Sequence, residues 1–212
     1  MDTPTRTLAD RPDDLICLSD PDIATEDMEA VLMTLRGGQL SAGPLVQEFE
    51  KAMARWVGRQ HGAAVASGTL AACLAFKVLG VGSGDEVLTT AYAWHQIAHA
   101  ITLVGATPIL VDIDYWSGCM DPAKAAEKIT PQTKAILATN VNGHPADWQS
   151  LRALADQHGI KLIEDSTEAV GSRYQGKLGG GFGDLAIFDF SQPSALCCGQ
   201  GAMVLTDDPS LA

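Results

Sequence analysis

Apolar and polar positions alternate along this chain with two different periods, and the periods predict its elements. Residues 1–20 carry Pro, Asp and Thr without any period and predict an N-terminal arm. A first amphipathic helix is expected at residues 25–35, opened by a side-chain cap and ended by Gly37 and Gly38. A second helix is expected to start at Pro44. Its predicted apolar face consists of Leu45, Phe49, Met53 and Trp56.

From residue 61 onward, short apolar runs alternate with helical stretches. The runs are GAAVAS, EVLTT, TPILVDI, KAILATN, KLIEDS and DLAIFDF. Helices are expected between them, one ending at Leu79 and others at about 94–104, 121–129 and 146–158. This alternation predicts βαβ crossovers and an α/β fold of three layers, α/β/α, around a mainly parallel sheet. Ligands of such sheets bind beyond the carboxyl ends of the strands.

The glycine-rich segment SRYQGKLGGGFGD interrupts this alternation and predicts a hairpin followed by a loop. With 212 residues, of which 46% are hydrophobic, the chain can form one core, and residues 21–212 are expected to be one domain.

The net charge of the chain limits the classes of partner that it is expected to bind. It has 26 acidic and 14 basic residues, a formal charge of −12, which disfavours nucleic acids and anionic membranes and favours a small molecule or a protein. No run approaches the roughly 20 apolar residues of a membrane-spanning helix, and the polar, acidic start predicts a cytoplasmic protein. The five cysteines lack C-x-x-C spacing, and no histidines stand at ligand spacing, so reduced thiols and no metal site are expected.

A first candidate site follows the run GAAVA. Ser67, Gly68 and Thr69 open the next predicted helix, where free N–H groups and a residue without a side chain suit a phosphate. An ordinary helix cap is the competing interpretation.

Two further candidates follow other strands. Asp165 ends KLIEDS, where a carboxylate can hold the proton of a heteroaromatic nitrogen, although it can equally cap the next turn. Trp94 follows EVLTT and offers an aromatic face to a planar cofactor, although a core aromatic is the competing interpretation.

The order of these segments resembles the DegT-type family of sugar aminotransferases over about residues 25–208. The segments are SGT, GDEVLTTAYAW, GATPILVDID, TPQTKAI, the run from GHPADW to GGGFGD, AIFDF and GAMVLTDD. The resemblance implies the large domain of fold-type I pyridoxal-phosphate (PLP) enzymes, dimers with sites at the subunit interface. It implies PLP or pyridoxamine 5'-phosphate (PMP) as cofactor. Gly68 and Thr69 match the phosphate turn, Trp94 matches the residue stacked on the ring, and Asp165 matches the partner of the ring nitrogen.

Other positions depart from the family pattern. Ser194 occupies the position of the lysine that binds the cofactor, and a hydroxyl cannot form an imine with an aldehyde. Asp189 stands where a serine contacts the phosphate, and two like charges about 4 Å apart repel by roughly 4 kcal/mol, or about a thousandfold in affinity. Glu168 replaces a Gln or His near the ring oxygen, and Gln200 replaces the acid of a Gly-Glu-Gly-Gly run.

Members of the family continue into a small domain that closes over the substrate, and the expectation here is that this C-terminal domain is absent. Three functions stay open. The chain is a lysine-less subunit paired with a lysine-bearing homologue in amino-sugar or secondary-metabolite biosynthesis, or an enzyme that holds PLP or PMP without a covalent link, or a cofactor-free scaffold or remnant. A homodimer or a heteromer is expected rather than a monomer.

Overall fold

A seven-stranded sheet organises the part of the chain that the computed structural model describes, residues 23–191 and 194–212. The predicted N-terminal arm lies outside these residues. The sheet has the order β1-β9-β8-β5-β4-β2-β3, and β9 runs antiparallel to both of its neighbours while the other pairs are parallel. The strands are β1 His61–Val65, β2 Glu86–Thr90, β3 Thr107–Val111, β4 Thr133–Thr139, β5 Lys161–Asp165, β8 Leu185–Asp189 and β9 Ala202–Thr206.

Helices cover both faces of this sheet, which confirms the predicted three-layer α/β/α fold. The α-helices are α1 Thr25–Arg36, α2 Pro44–Val57, α3 Gly68–Val78, α4 His95–Leu103, α5 Pro122–Lys128 and α6 Trp148–His158. Successive residues of a strand point to opposite faces. Thus Leu137 of β4 packs in the core under α3 and α4, whereas Ile136 packs in the core under α5 and α6. A third cluster joins α2 to β8 and β9.

The first helix begins where the sequence predicts it but differs at its cap. Ala24 is the N-cap residue and offers no side-chain bond, so the predicted side-chain cap is wrong. Instead, the Asp27 carboxylate accepts a hydrogen bond from the Ala24 backbone N–H at 2.8 Å. None of the residues of α1 is buried.

Helix α2 buries only part of its predicted apolar face. Its buried residues are Met53, Ala54 and Val57, close to its C-terminal end. Of the predicted apolar face, Leu45 is 57% exposed and Trp56 is 45% exposed. The face is therefore only partly covered by the described residues.

Helix α6 starts two residues later than predicted, since Asp147 caps it by accepting a bond from Ser150 N–H. The predicted hairpin is present as β6 Arg173–Tyr174 and β7 Lys177–Leu178. The loop that follows requires glycine at Gly180, where φ is +93° and a β-carbon would lie 2.6 Å from the Phe188 ring. Among the described helices, none is long and apolar enough to cross a membrane.

Candidate functional site

Four of the elements end at one edge of the sheet and form a cleft there. Gly68 follows β1, Trp94 follows β2, Asp165 ends β5 and Asp189 ends β8. Strands β1, β2, β5 and β8 run in the same direction, so their carboxyl ends meet. All four residues line one cleft of about 510 Å³ of empty space, partly open to solvent. The structure thus brings together three of the predicted site residues and Asp189.

Asp165 lies at the base of the cleft and is 3% exposed. Its Oδ1 atom accepts hydrogen bonds from the Thr167 hydroxyl at 2.7 Å and the Thr167 N–H at 3.1 Å. Burial raises the pKa of Asp165 to about 6; the bonds from Thr167 oppose this shift, and the charges of Glu168 and Asp189 add to it. Asp165 therefore both accepts hydrogen bonds in the next turn and lines the cleft, so the two interpretations of this residue hold together.

Asp189 lies directly against the start of α3. A β-carbon built on Gly68 would stand 2.7 Å from the carboxyl carbon of Asp189, so only glycine allows this approach. The Asp189 N–H donates to the Thr167 hydroxyl oxygen at 3.0 Å, and its Oδ1 accepts a bond from Ser191 N–H at 2.8 Å. The carboxylate is held by the backbone on one side and packed on the helix start on the other.

Trp94 separates this cleft from a second, shallower pocket. It caps the start of α4 and is half-buried, so it lies at the surface of the site and not in the core. Glu168 lines the second pocket with Trp94, and its Oε2 accepts a bond from Asn142 N–H at 2.7 Å. The predicted Glu168 is thus next to the cleft, with its carboxylate engaged by the backbone.

The other predicted positions do not line the cleft. Thr69 is half-buried in the first turn of α3, where Ser67 caps the helix by accepting a bond from Leu70 N–H. Ser194 is 8% exposed, and its hydroxyl has no hydrogen-bond partner among the described residues. Gln200 is exposed just before β9. Thr69 and Ser194 remain candidates by resemblance alone.

Five residues that line the cleft were not found from the sequence: the apolar Ile97 and Ile187 and the polar Gln96, Thr167 and Ser191. Thr167 had a signal, because Asp-x-Thr after a strand is the pattern of a local side-chain turn. Gln96 had none, and its buried Oε1 has no partner in the described part of the chain.

The electrostatics of the cleft are acidic. Asp165 and Asp189 line it, Glu168 is adjacent, and within residues 23–191 and 194–212 no lysine or arginine lines it. Lys177 lies in the hairpin and donates from Nζ to the Gly181 carbonyl. The described residues contain no group of acidic, His and Cys side chains that could hold a metal ion. The cysteines among them are free, whereas Cys17 lies outside the described residues.

The glycine loop after the hairpin is held by a buried carboxylate. Glu164 accepts bonds from Gly180 N–H at 2.6 Å, Phe182 N–H at 2.8 Å and the Asn140 amide at 2.9 Å. The buried Arg59 side chain donates to the carbonyls of Gly180 and Gly183. These bonds connect the loop to β5 and to the end of α2.

A three-layer fold with an acidic and aromatic cleft at the carboxyl ends of parallel strands defines an α/β protein with a candidate ligand site at the edge of its sheet. The chain belongs to the DegT/DnrJ/EryC1/StrS aminotransferase family, whose model matches residues 21–212. It is 40% identical over 192 residues to the spore coat polysaccharide biosynthesis protein SpsC of Bacillus subtilis (strain 168), covering 91% of this chain and 49% of that protein.

Solved structures agree with this membership. An aminotransferase from Psychrobacter cryohalolentis matches with a TM-score of 0.88 and 32% identity, over 90% of this chain and 49% of that one. DesV of S. venezuelae, in complex with a ketimine intermediate, matches with a TM-score of 0.84 and 37% identity, over 88% and 50%. NtdA from Bacillus subtilis, with bound PMP, matches at 0.82 and 29%, over 94% and 48%. The chain spans about half the length of the relatives it matches.

Proposed function

We propose that this chain is an aminotransferase-type subunit that works with a lysine-bearing homologue in the biosynthesis of an amino sugar or a related secondary metabolite. Family membership and the likeness to SpsC and DesV support the reaction class and a sugar-related pathway. The partner provides the amine that binds the cofactor aldehyde, and this chain contributes residues to a shared site.

The single observation that supports this division is the absence of a usable amine at the cleft. Ser194, at the position that the resemblance assigns to the lysine, is a buried hydroxyl, and no lysine of the described residues lines the cleft. A hydroxyl cannot form an imine. The chain therefore needs an amine from elsewhere to take part in transamination.

The cleft fits one half of PLP and not the other. Trp94 can cover a pyridine ring, and the buried Asp165 can hold a proton on the ring nitrogen. The Asp189 carboxylate packs on Gly68 at the start of α3, where the resemblance implies the phosphate. We infer that PLP does not fit this chain as a whole, so that the partner holds the cofactor.

Exposed apolar side chains provide a surface for such a partner. Helix α1 buries none of its residues, although Val31 and Leu35 lie on it, and Leu45 and Trp56 of α2 are exposed as well. We propose that these exposed apolar side chains form the interaction surface, since large apolar patches mark such sites. A second chain of the same fold is the occupant we propose, since the resemblance implies sites at a subunit interface.

Light scattering on the pure chain, and on the chain mixed with lysine-bearing homologues from the same host, tests the proposal. The mixture is expected to give a complex heavier than the 22.3 kDa chain and a changed transaminase activity of the homologue. Val31→Glu with Leu35→Glu should prevent the complex, and Glu29→Gln on the same helix is the control. A 22.3 kDa monomer in both cases, with unchanged homologue activity, would refute the partnership.

The second candidate is an enzyme that holds PLP or PMP without a covalent link, which the retained Trp94 and Asp165 favour. Absorbance of the purified chain with added PLP separates the candidates, because a bound free aldehyde, an imine and no binding give different spectra. A bound free aldehyde together with transamination by the pure chain would favour this second candidate. No binding by the chain alone or by the mixture would leave the scaffold function.

A further inference from the structure

The contact between Asp189 and Gly68 changes which ligands the cleft can accept. The first N–H groups of a helix lack partners within the helix and form its positive end, which attracts anions. In α3 the residue at this end is Gly68, and the Asp189 side chain packs on it. A β-carbon built on Gly68 would lie 2.9 Å from the β-carbon of Asp189. We infer that Asp189 is an internal anion that replaces a ligand phosphate at this helix start, so that the cleft accepts cationic aromatic amines and rejects their phosphorylated forms.

The position of Asp189 is determined by its surroundings. Its backbone N–H is bound to Thr167, its Oδ1 is bound to Ser191 N–H, and it pairs with Ala202 across β8 and β9. To admit a phosphate, the side chain would have to leave the helix start and break the bond with Ser191. The carboxylate is thus a built part of the site.

The charges around Asp189 also oppose the binding of a phosphate. A phosphate at the start of α3 would meet Asp189 directly and would also approach Asp165, with no lysine or arginine of the described residues lining the cleft. One pair of like charges about 4 Å apart weakens binding by about a thousandfold at an effective dielectric near 20.

The rest of the cleft lining suits a cation that carries an aromatic ring. Trp94 presents an aromatic face, and the buried Asp165 and the packed Asp189 provide negative charge on the same cleft. Aromatic faces and carboxylates both attract organic ammonium groups. Pyridoxamine has such a ring and such an amine, and it is used here as a probe of this chemical class. The inference concerns this chain alone and stands with or without a partner subunit.

Pyridoxamine and PMP form a matched pair of probes, because they differ only in the phosphate. As amines they cannot form imines with surface lysines, which would obscure the result for aldehydes. Calorimetric titration of the full chain with each is expected to show that PMP binds more weakly than pyridoxamine. In Asp189→Ser, PMP should bind at least about tenfold more tightly than pyridoxamine, or roughly 1.4 kcal/mol, and inorganic phosphate should compete with it.

Two further variants separate shape from charge. Asp189→Asn keeps the volume and removes the charge, so its preference for PMP should lie between those of the unchanged chain and Asp189→Ser. Asp156→Asn removes an exposed charge that does not line the cleft, and should behave as the unchanged chain.

Thermal melting with added phosphate provides a readout that needs no aromatic probe. Phosphate should raise the melting temperature of Asp189→Ser and leave that of the unchanged chain where it was. If the unchanged chain prefers PMP as strongly as Asp189→Ser does, the inference is wrong. It is equally wrong if Asp189→Ser gains neither PMP nor phosphate binding, and Asp189→Asn decides the question if the serine variant does not fold.

Discussion

Thr167 donates its hydroxyl hydrogen to Oδ1 of Asp165 at 2.7 Å, and its oxygen accepts the backbone N–H of Asp189. One threonine therefore connects the two carboxylate residues of the cleft. Because Asp165 is buried and has no cation beside it in the described cleft, its pKa is raised to about 6 from an ordinary value of 3.8. A cationic ligand at this position would favour the ionised form and bring that pKa down.

The raised pKa of Asp165 predicts how stability depends on pH. The folded chain keeps this proton up to about pH 6 whereas the unfolded chain releases it near 3.8, so ionisation of Asp165 destabilises the fold as pH rises through this window. Asp165→Asn lacks this loss. Between pH 5 and pH 8 the stability of the variant relative to the unchanged chain should rise by about 1 kcal/mol.

Urea unfolding of both proteins at the two pH values measures this difference. The lower pH is kept above the pI of about 4.6, where low net charge favours precipitation. A constant difference in stability between the two proteins would show that Asp165 is not held protonated.

Loss of the buried carboxylate of Glu164 should destabilise the glycine loop. Glu164→Gln places an N–H₂ group among the donors Gly180 N–H, Phe182 N–H and the Asn140 amide, so that at least one buried donor loses its acceptor. The expected loss is about 2 kcal/mol in the free energy of unfolding, measured by urea titration. Glu127→Gln is the matched control, because Glu127 is 64% exposed and bonded only to Lys124, and it should change stability little. Equal effects of the two changes would argue against the network.

Replacing the buried Arg59 by lysine should weaken the attachment of the same loop. The Arg59 guanidinium binds Gly180 O, Gly183 O and the Asp207 carboxylate at once, and an ammonium cannot reproduce this fork. Faster hydrogen exchange in residues 179–183 is expected in Arg59→Lys. Arg173→Lys, at an exposed arginine bonded to Gly176 O, is the control and should leave that exchange unchanged.

Borohydride reduction tests the absence of an amine at the cleft. After incubation with PLP, reduction and mass analysis of the peptides, no pyridoxyl adduct is expected at position 194 of the unchanged chain, because Ser194 cannot form an imine. Ser194→Lys alone should bind PLP weakly, since Asp189 remains at the helix start, and Ser194→Lys with Asp189→Ser should bind it more tightly. Equal affinities of these two variants would show that Asp189 does not oppose the phosphate.

The sequence predicted the sheet and most helices because the spacing of apolar residues and the residues that end helices are local features of the sequence. Gly37 and Gly159 end helices where the apolar pattern stops, and Asp121 caps α5 as a residue before proline often does. The cap of α1 was wrong because Asp27 reaches back to Ala24, an arrangement that a list of preferred cap residues does not contain. The apolar face of α2 follows from helical spacing, but how much of that face is covered depends on the elements that pack on it, which spacing does not record.

The candidate site, too, was predicted in part from the sequence and decided in part by the tertiary structure. Trp94, Gly68 and Asp165 were predicted because each follows a strand, and strand order places such residues on one edge. What the sequence alone determined is therefore the layer order, the edge of the sheet at which the candidate site lies and the residue types found there. The meeting of Asp189 with Gly68, the link through Thr167 and the raised pKa of Asp165 were decided by the tertiary structure. These depend on distances between strands far apart in the chain and on exclusion of water, which no local pattern records.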